Sequence, residues 1–430
     1  MVANHGLQAL RFVPVTFVIA ACLAAAAGCD TRTAPAAPPA AAPAPAAAAV
    51  PAAPQPSAPA AAALASTAAE EQALRDEQRR EADRLAAMFP QSDDALYLAG
   101  LVCNEQGDWR AATAYWEKAL ALDPSRADTC NNLGYAFAIR EDFARAEALF
   151  RKAIAIDPSF AEPYEQLGEL LVKQGKLDDA VALLASIPAP TAKTARFLGQ
   201  AYQHLRDYAN AKRRYEAAIK LKPDYREVYY SLATVCARLG EREAAEAYRA
   251  KFNGMADETQ ERGRRVRSSL NVLGITKQST AKTHTDVGRV MTAMGKADEA
   301  ERLWRRAAAI DPANVESRIF LAAACLRAGR PAEAIARYRE LAAIEPENGA
   351  HFFNLGALYL RLGQADAAQP VLERLTALAP DNPEAYAALA QARAMTGDVP
   401  GALAAIEHAM ALDPANVRYR QFHETLNARK

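Results

Sequence analysis

Few of the 430 residues are of types that do covalent or metal chemistry, and their spacing argues against most of it. The six cysteines are Cys22, Cys29, Cys103, Cys130, Cys236 and Cys325. None forms a C-x-x-C pair and the intervals are irregular, so neither a disulfide framework nor a zinc site is expected. The histidines (His5, His204, His284, His351, His408, His423) have no partner at ligand spacing. Gly288 followed by Gly295-Lys296 has the outline of a phosphate loop. Six residues rather than four separate its glycines, however, and Ala297 stands where Ser or Thr is needed. No G-x-S-x-G, G-x-G-x-x-G or H-E-x-x-H occurs. The expectation is a chain with no catalytic residue, no metal, no cofactor and no small-molecule substrate. Lys plus Arg and Asp plus Glu are 51 each. That neutrality gives no reason to expect nucleic acid as a partner.

Cys29 is the one cysteine in a suggestive setting. Arg11 precedes an uncharged, mostly apolar run from Phe12 to Ala27, too short for a comfortable membrane span. The run ends in Ala26-Ala27-Gly28-Cys29, which resembles the lipobox of bacterial lipoproteins, with Ala26 departing from that family's usual leucine. The resemblance implies a signal peptide over 1–28, lipidation of Cys29, and an exported protein held at the cell membrane or the outer membrane. Asp30 is similar to a retention signal of enteric lipoproteins; the choice of membrane stays open. The other reading is ordinary cleavage nearby and a free Cys29. Residues 31–65 are almost only Ala and Pro, with Arg32 the sole charge. Residues 29–66 therefore read as anchor plus disordered linker, extended over something on the order of 110 Å if polyproline-like. Residues 67–90 turn charged and helical until Pro90 stops them.

The elements that follow repeat. Asp123-Pro124, Asp157-Pro158, Asp311-Pro312, Glu345-Pro346, Ala379-Pro380 and Asp413-Pro414 recur at 34-residue intervals within each group. Lys222-Pro223 belongs to the set in shifted phase. With this proline at position 32, position 8 is Gly100, Gly134, Gly168, Gly199, Ala233, Gly288, Ala322, Gly356 and Ala390. Position 20 is alanine throughout, from Ala112 and Ala146 to Ala402. Position 24 is large (Trp116, Phe150, Leu184, Tyr215, Trp304, Tyr338, Leu372, Ile406), with Arg249 the exception. This pattern resembles the tetratricopeptide repeat family over about 93–414, with a break near 253–280.

The resemblance implies an all-α fold, an α-α superhelix of stacked helix pairs, with helix A at positions 1–14 and helix B at 15–28. Small residues at 8 and 20 let the two backbones approach, the large residue at 24 fills the space beside them, and the proline ends helix B. One pair cannot bury its apolar face alone, so neighbours bury it for each other. The organisation read from this is a first array of five repeats (93–252), a helical insert (253–280), a second array of four repeats (281–414) and a polar capping helix (415–430). The third repeat ends early, at Ile187-Pro188. The insert, with Arg262, Arg264, Arg265 and Arg267, reads either as a lengthened helix with a solvated charged face or as a hinge or docking surface.

In the tetratricopeptide family helix A lines a concave groove, with positions 2, 5, 9, 12 and 13 pointing into it. The resemblance thus implies partner contact at Tyr97, Leu101, Asn131, Tyr135, Tyr230, Ile319 and Phe353. A chaperone-type carboxylate clamp is not expected. Asn132 and Asn354 fit one slot each, but Tyr97 and Ile319 replace its lysine, and Glu162 and Glu384 carry the wrong charge. The expected function is a non-catalytic, membrane-anchored scaffold binding a peptide segment of a cell-envelope partner. The alternatives are an accessory subunit of an envelope enzyme or secretion complex, and a self-assembling structural element.

Overall fold

A computed structural model describes residues 58–187, 189–266 and 269–428, with side chains from Ser66 onward except 256–271. The signal segment, Cys29 and the linker up to residue 57 lie outside the described residues. Twenty helices make up the described part, and among the described residues there is no strand. Helix α1 runs Ala58–Met88, so its first turns use the alanines that close the expected linker; alanine has the best helix propensity of any residue. The first array is α2 (Asp93–Glu105) with α3 (Trp109–Leu122), α4 (Ala127–Ile139) with α5 (Phe143–Ile156), α6 (Ala161–Lys173) with α7 (Leu177–Ala185), α8 (Ala192–His204) with α9 (Tyr208–Leu221), and α10 (Arg226–Leu239) with α11 (Arg242–Val266). The second is α12 (Ser269–Ala293) with α13 (Ala297–Ile310), α14 (Val315–Arg327) with α15 (Pro331–Ile344), α16 (Gly349–Arg361) with α17 (Ala365–Leu378), and α18 (Pro383–Thr396) with α19 (Val399–Leu412). Helix α20 (Val417–Asn427) closes it.

The turn inside each pair corrects the expected boundary of helix B, which starts at position 17 rather than 15. Position 15 takes a left-handed backbone in every repeat: Gly107, Gly175, Gly240, Gly295, Gly329, Gly363 and Gly397 have φ between 68° and 87°. Glu141 and Arg206 hold the same conformation, at 61° and 62°, without glycine's freedom. Position 16 then caps helix B. The side chains of Asp108, Asp142, Asp207 and Asp398 accept the backbone N–H of Ala111, Arg145, Asn210 and Gly401. Helix B ends where the residue before proline must leave the helical region, as at Asp123 (ψ 91°) and Asp157 (ψ 93°).

The close approach of the two helices is geometric. A Cβ added to Gly100 would lie 2.3 Å from Trp116 Nε1. One added to Gly134 would lie 2.9 Å from Phe150, to Gly199 2.6 Å from Tyr215, and to Gly288 2.4 Å from Trp304. Trp116 and Trp304 also donate their indole N–H to the carbonyls of Tyr97 and Thr285, at 3.2 and 3.1 Å. Ala112, Ala146, Ala180, Ala211, Ala300, Ala334, Ala368 and Ala402 at position 20 are all fully buried. Arg249, the exception at position 24, is exposed. It lies on the pair that ends its array, since α11 packs on α10 and carries no following repeat. The second array ends differently: α20 buries Leu426 and lays Tyr419 and Phe422 against the terminal core.

Helix α1 is not a free leader. It packs along α12 as closely as a helix A packs on its own helix B, and stacks on α2 as one repeat stacks on the next. Leu85 of α1 shares a core with Leu98 of α2, Met291 of α12, Trp304 of α13 and Leu321 of α14. Leu74 of α1 packs with Ala281 and Leu273 of α12. The start of α12, which falls inside the expected insert, is therefore the partner surface for α1. Thr276 and Thr280 on it are buried, whereas Val272 and Ile275 stay exposed. Gln78, 2% exposed, donates to Thr283 Oγ1 at 2.9 Å and Ser279 Oγ at 3.1 Å, across about two hundred residues of chain. The Arg306 guanidinium donates two hydrogen bonds to the Glu77 carboxylate, at 2.7 and 2.8 Å. Buried His284 places Nε2 3.1 Å from the same carboxylate and Nδ1 2.8 Å from the Thr280 carbonyl. Arg84 pairs with Glu299.

Candidate functional site

The face formed by successive A helices is where the seven partner-binding candidates lie, and the structure separates them. Tyr135 (41% exposed), Tyr230 (61%) and Ile319 (42%) are open to solvent. Tyr135 leans on Trp109, ring centroids 6.0 Å apart, and Tyr230 on Phe252 at 5.5 Å. Phe353 is half-buried against the terminal core of the second array.

Three candidates are packed into the fold, Tyr97 and Asn131 buried and Leu101 half-buried. Tyr97 is buried: its hydroxyl accepts from Asn132 Nδ2 at 3.2 Å, the Arg126 guanidinium covers its ring at 4.2 Å, and burial pushes its phenol well up. Leu101 is packed between the core of the first array and the core shared with α1 and α12. Asn131 is 2% exposed and lies against Glu162. In each case the neighbouring helix A, or the junction with the second array, covers the position, and a single repeat's pattern contains no information about that neighbour. Ile139, 47% exposed and one turn on from Tyr135, was missed. It sits at position 13, one of the family's groove positions, so a signal was available.

The polar groups of this face are held in place. Arg126 bonds Asp93 at 2.7 Å, Asp94 at 2.6 Å and Asp128 at 3.0 Å, tying the first repeat to the second. Buried Glu165 accepts the hydroxyls of Thr191 and Thr194 and lies 3.6 Å from Lys193 Nζ. Burial, followed by the like charge of Glu165, pushes the Glu162 carboxyl up, against the pull of Lys193. Arg196 lies flat over Phe197 at 4.0 Å, with the Tyr225 ring at 5.9 Å.

Glu301, Cys325 and Glu333 bring three potential metal ligands within 4.8 Å of one another. Arg330 bonds Glu301 at 2.6 Å and Glu333 at 3.1 Å, and burial pushes the Cys325 thiol up. Both carboxylates are thus neutralised by a guanidinium and the sulfur is kept protonated, which suits a knot between repeats rather than a cation. The four described cysteines are free and buried, with the Cys103 thiol pushed up to about 11 by burial.

Comparison with known proteins agrees with this architecture. Two family models described as tetratricopeptide repeat match, one over residues 137–199, 291–359 and 359–426, the other over 104–159 and 198–254. No curated protein matches the sequence at a significant level. Among solved structures, MamA is 23% identical, with 38% of this chain and 96% of that chain covered and a TM-score of 0.35. PilF of Pseudomonas aeruginosa is 21% identical, covering 54% and 96%, with a TM-score of 0.35. PilW, a type IV pilus biogenesis factor, is 18% identical, covering 53% and 98%, with a TM-score of 0.36. The matched segments, taken with the small-against-large packing at positions 8 and 24, establish that this chain belongs to the tetratricopeptide repeat family.

Proposed function

We propose that the protein is a non-catalytic scaffold that holds a peptide segment of a cell-envelope partner along its helix-A face, and that a lipid on Cys29 anchors it to a bacterial membrane. Tetratricopeptide repeats serve as protein-interaction modules. The observation that carries the groove reading is the set of large apolar side chains left open at positions 5, 9 and 13: Tyr135, Ile139, Tyr230 and Ile319. Each costs solvation while unpartnered and contributes on the order of 1–3 kcal/mol when a ligand buries it. In-cell crosslinking followed by pull-down tests it: Tyr135→Ala and Tyr230→Ala should each lose the crosslinked partner, and full recovery by both would place binding elsewhere. Cys29 lies outside the described residues, and the anchor rests on the sequence 26–29. Cells grown with labelled palmitate should label the wild type and not Cys29→Ala; an unlabelled, soluble wild type would end the anchor claim.

A further inference from the structure

Two charged side chains of opposite sign on the helix-A face of the first array, Glu162 and Arg196, have no ion-pair partner among the described residues, and a buried polar atom beside or within each is unmet. The first is an acceptor. Half-buried Glu162 is hydrogen-bonded by the Asn131 side chain, which is itself covered (2% exposed) and whose Oδ1 has no partner. Lys193, whose charge also acts on Glu162, makes its ion pair with Glu165 at 3.6 Å. The second is a donor. The Arg196 guanidinium makes a side-chain hydrogen bond to Tyr225, but its Nε is buried with no partner, and among the described residues no carboxylate lies within ion-pair distance of it. Buried polar groups are normally satisfied, and one left unmet costs about 1–3 kcal/mol. Arg126, on the same face, shows the satisfied arrangement, with three aspartates around one guanidinium.

We propose that this face takes an extended segment of a partner protein bearing one cationic and one carboxylate side chain about three residues apart, the cation over Glu162 and the carboxylate over Arg196. The proposal deepens the peptide-holding reading above and rests on it. The spacing follows from the stacking of α6, which carries Glu162, on α8, which carries Arg196. Neighbouring helices lie roughly 10 Å apart, a distance that an extended chain covers in about three residues. The opposite signs fix the direction in which the segment lies. The Phe197 ring at 4.0 Å and a side-chain hydrogen bond to Tyr225 hold the guanidinium before the ligand arrives, so little side-chain entropy is lost on binding.

The test uses the full chain and a phage-displayed library of random dodecapeptides. Selected peptides should carry Lys or Arg about three residues from Asp or Glu. A synthetic copy should lose about tenfold in affinity to Glu162→Gln and to Arg196→Gln. The Glu162→Gln loss should vanish when the peptide's cation is replaced by norleucine, and the Arg196→Gln loss when its carboxylate becomes an amide. Glu384→Gln, exposed at position 2 of the last repeat, should bind as wild type does. Peptides selected without the charge pair, or held at full affinity by both variants, overturn the charge proposal and leave the peptide-holding reading standing. A library that yields no binder overturns both.

Discussion

Helix A meets helix B in two ways in this molecule. Inside a repeat the partner is the next helix, and the contact is apolar and close: glycine at position 8 receives the ring or branched side chain at position 24. At the junction, α12 meets α1 across most of the first array, and polar pairs line an apolar strip. Gln78, Glu77, His284, Arg306, Arg84 and Glu299 join there around Leu85, Leu74 and Ala281. The local contact has its register set by a turn of a few residues, so shape complementarity suffices. The distant one has no turn to set its register, and hydrogen-bonded pairs supply the specificity that sequence proximity supplies elsewhere.

Removing a position-24 ring should do the most damage. Trp116→Ala should cost about 3–5 kcal/mol, because the cavity opens between two backbones that cannot collapse. Gly100→Ala, destabilising in the wild type because its Cβ would meet the indole at 2.3 Å, should cost little in the Trp116→Ala background. Chemical denaturation of the four proteins measures this coupling, and additive losses would contradict the packing. Next in size is Ala146→Leu, which adds three carbons at a fully buried position and should cost about 1–3 kcal/mol. An unchanged thermal melt would contradict it.

The junction should respond less, and to pH. The Arg306 hydrogen bonds hold the Glu77 carboxyl below the usual carboxylate range, against its partial burial. A depressed carboxylate contributes stability that is present above its unfolded pKa and is lost as pH falls through the folded value. The protection of α1 against hydrogen exchange, corrected for the pH dependence of intrinsic exchange, should therefore fall below about pH 4, with that of α4 and α5 changing less. Glu77→Gln should weaken the junction by about 1 kcal/mol at neutral pH, discounted for solvent screening, and flatten that pH response. An equal loss of protection across α1, α4 and α5 would mean that the junction and the repeats unfold together. The smallest effect should be a gain. Glu141→Gly and Arg206→Gly relieve a left-handed backbone and should each stabilise by about 0.5–1 kcal/mol in a thermal melt.

The repeats were legible from residue types because their physics is local. A 34-residue period, a small residue facing a large one and a proline stop each act within a few turns of chain; Arg249, only an exception at position 24 in the sequence, lies on the pair that ends the first array. The groove was legible only in part. Tyr135, Tyr230 and Ile319 are open as their positions imply, while at equivalent positions Tyr97 and Asn131 are buried and Leu101 is half-buried. Exposure at a repeat position depends on which helix stacks beside it, and that neighbour's side chains lie 30 or more residues away.

By itself the sequence determined the helix pairs, their order and the residues on which they close, since propensity, capping and small-against-large packing operate between neighbours in the chain. Only the tertiary structure decided that α1 is the partner of α12. That pairing lies between segments about two hundred residues apart, so no period records it, and the whole first array intervenes between them in the chain.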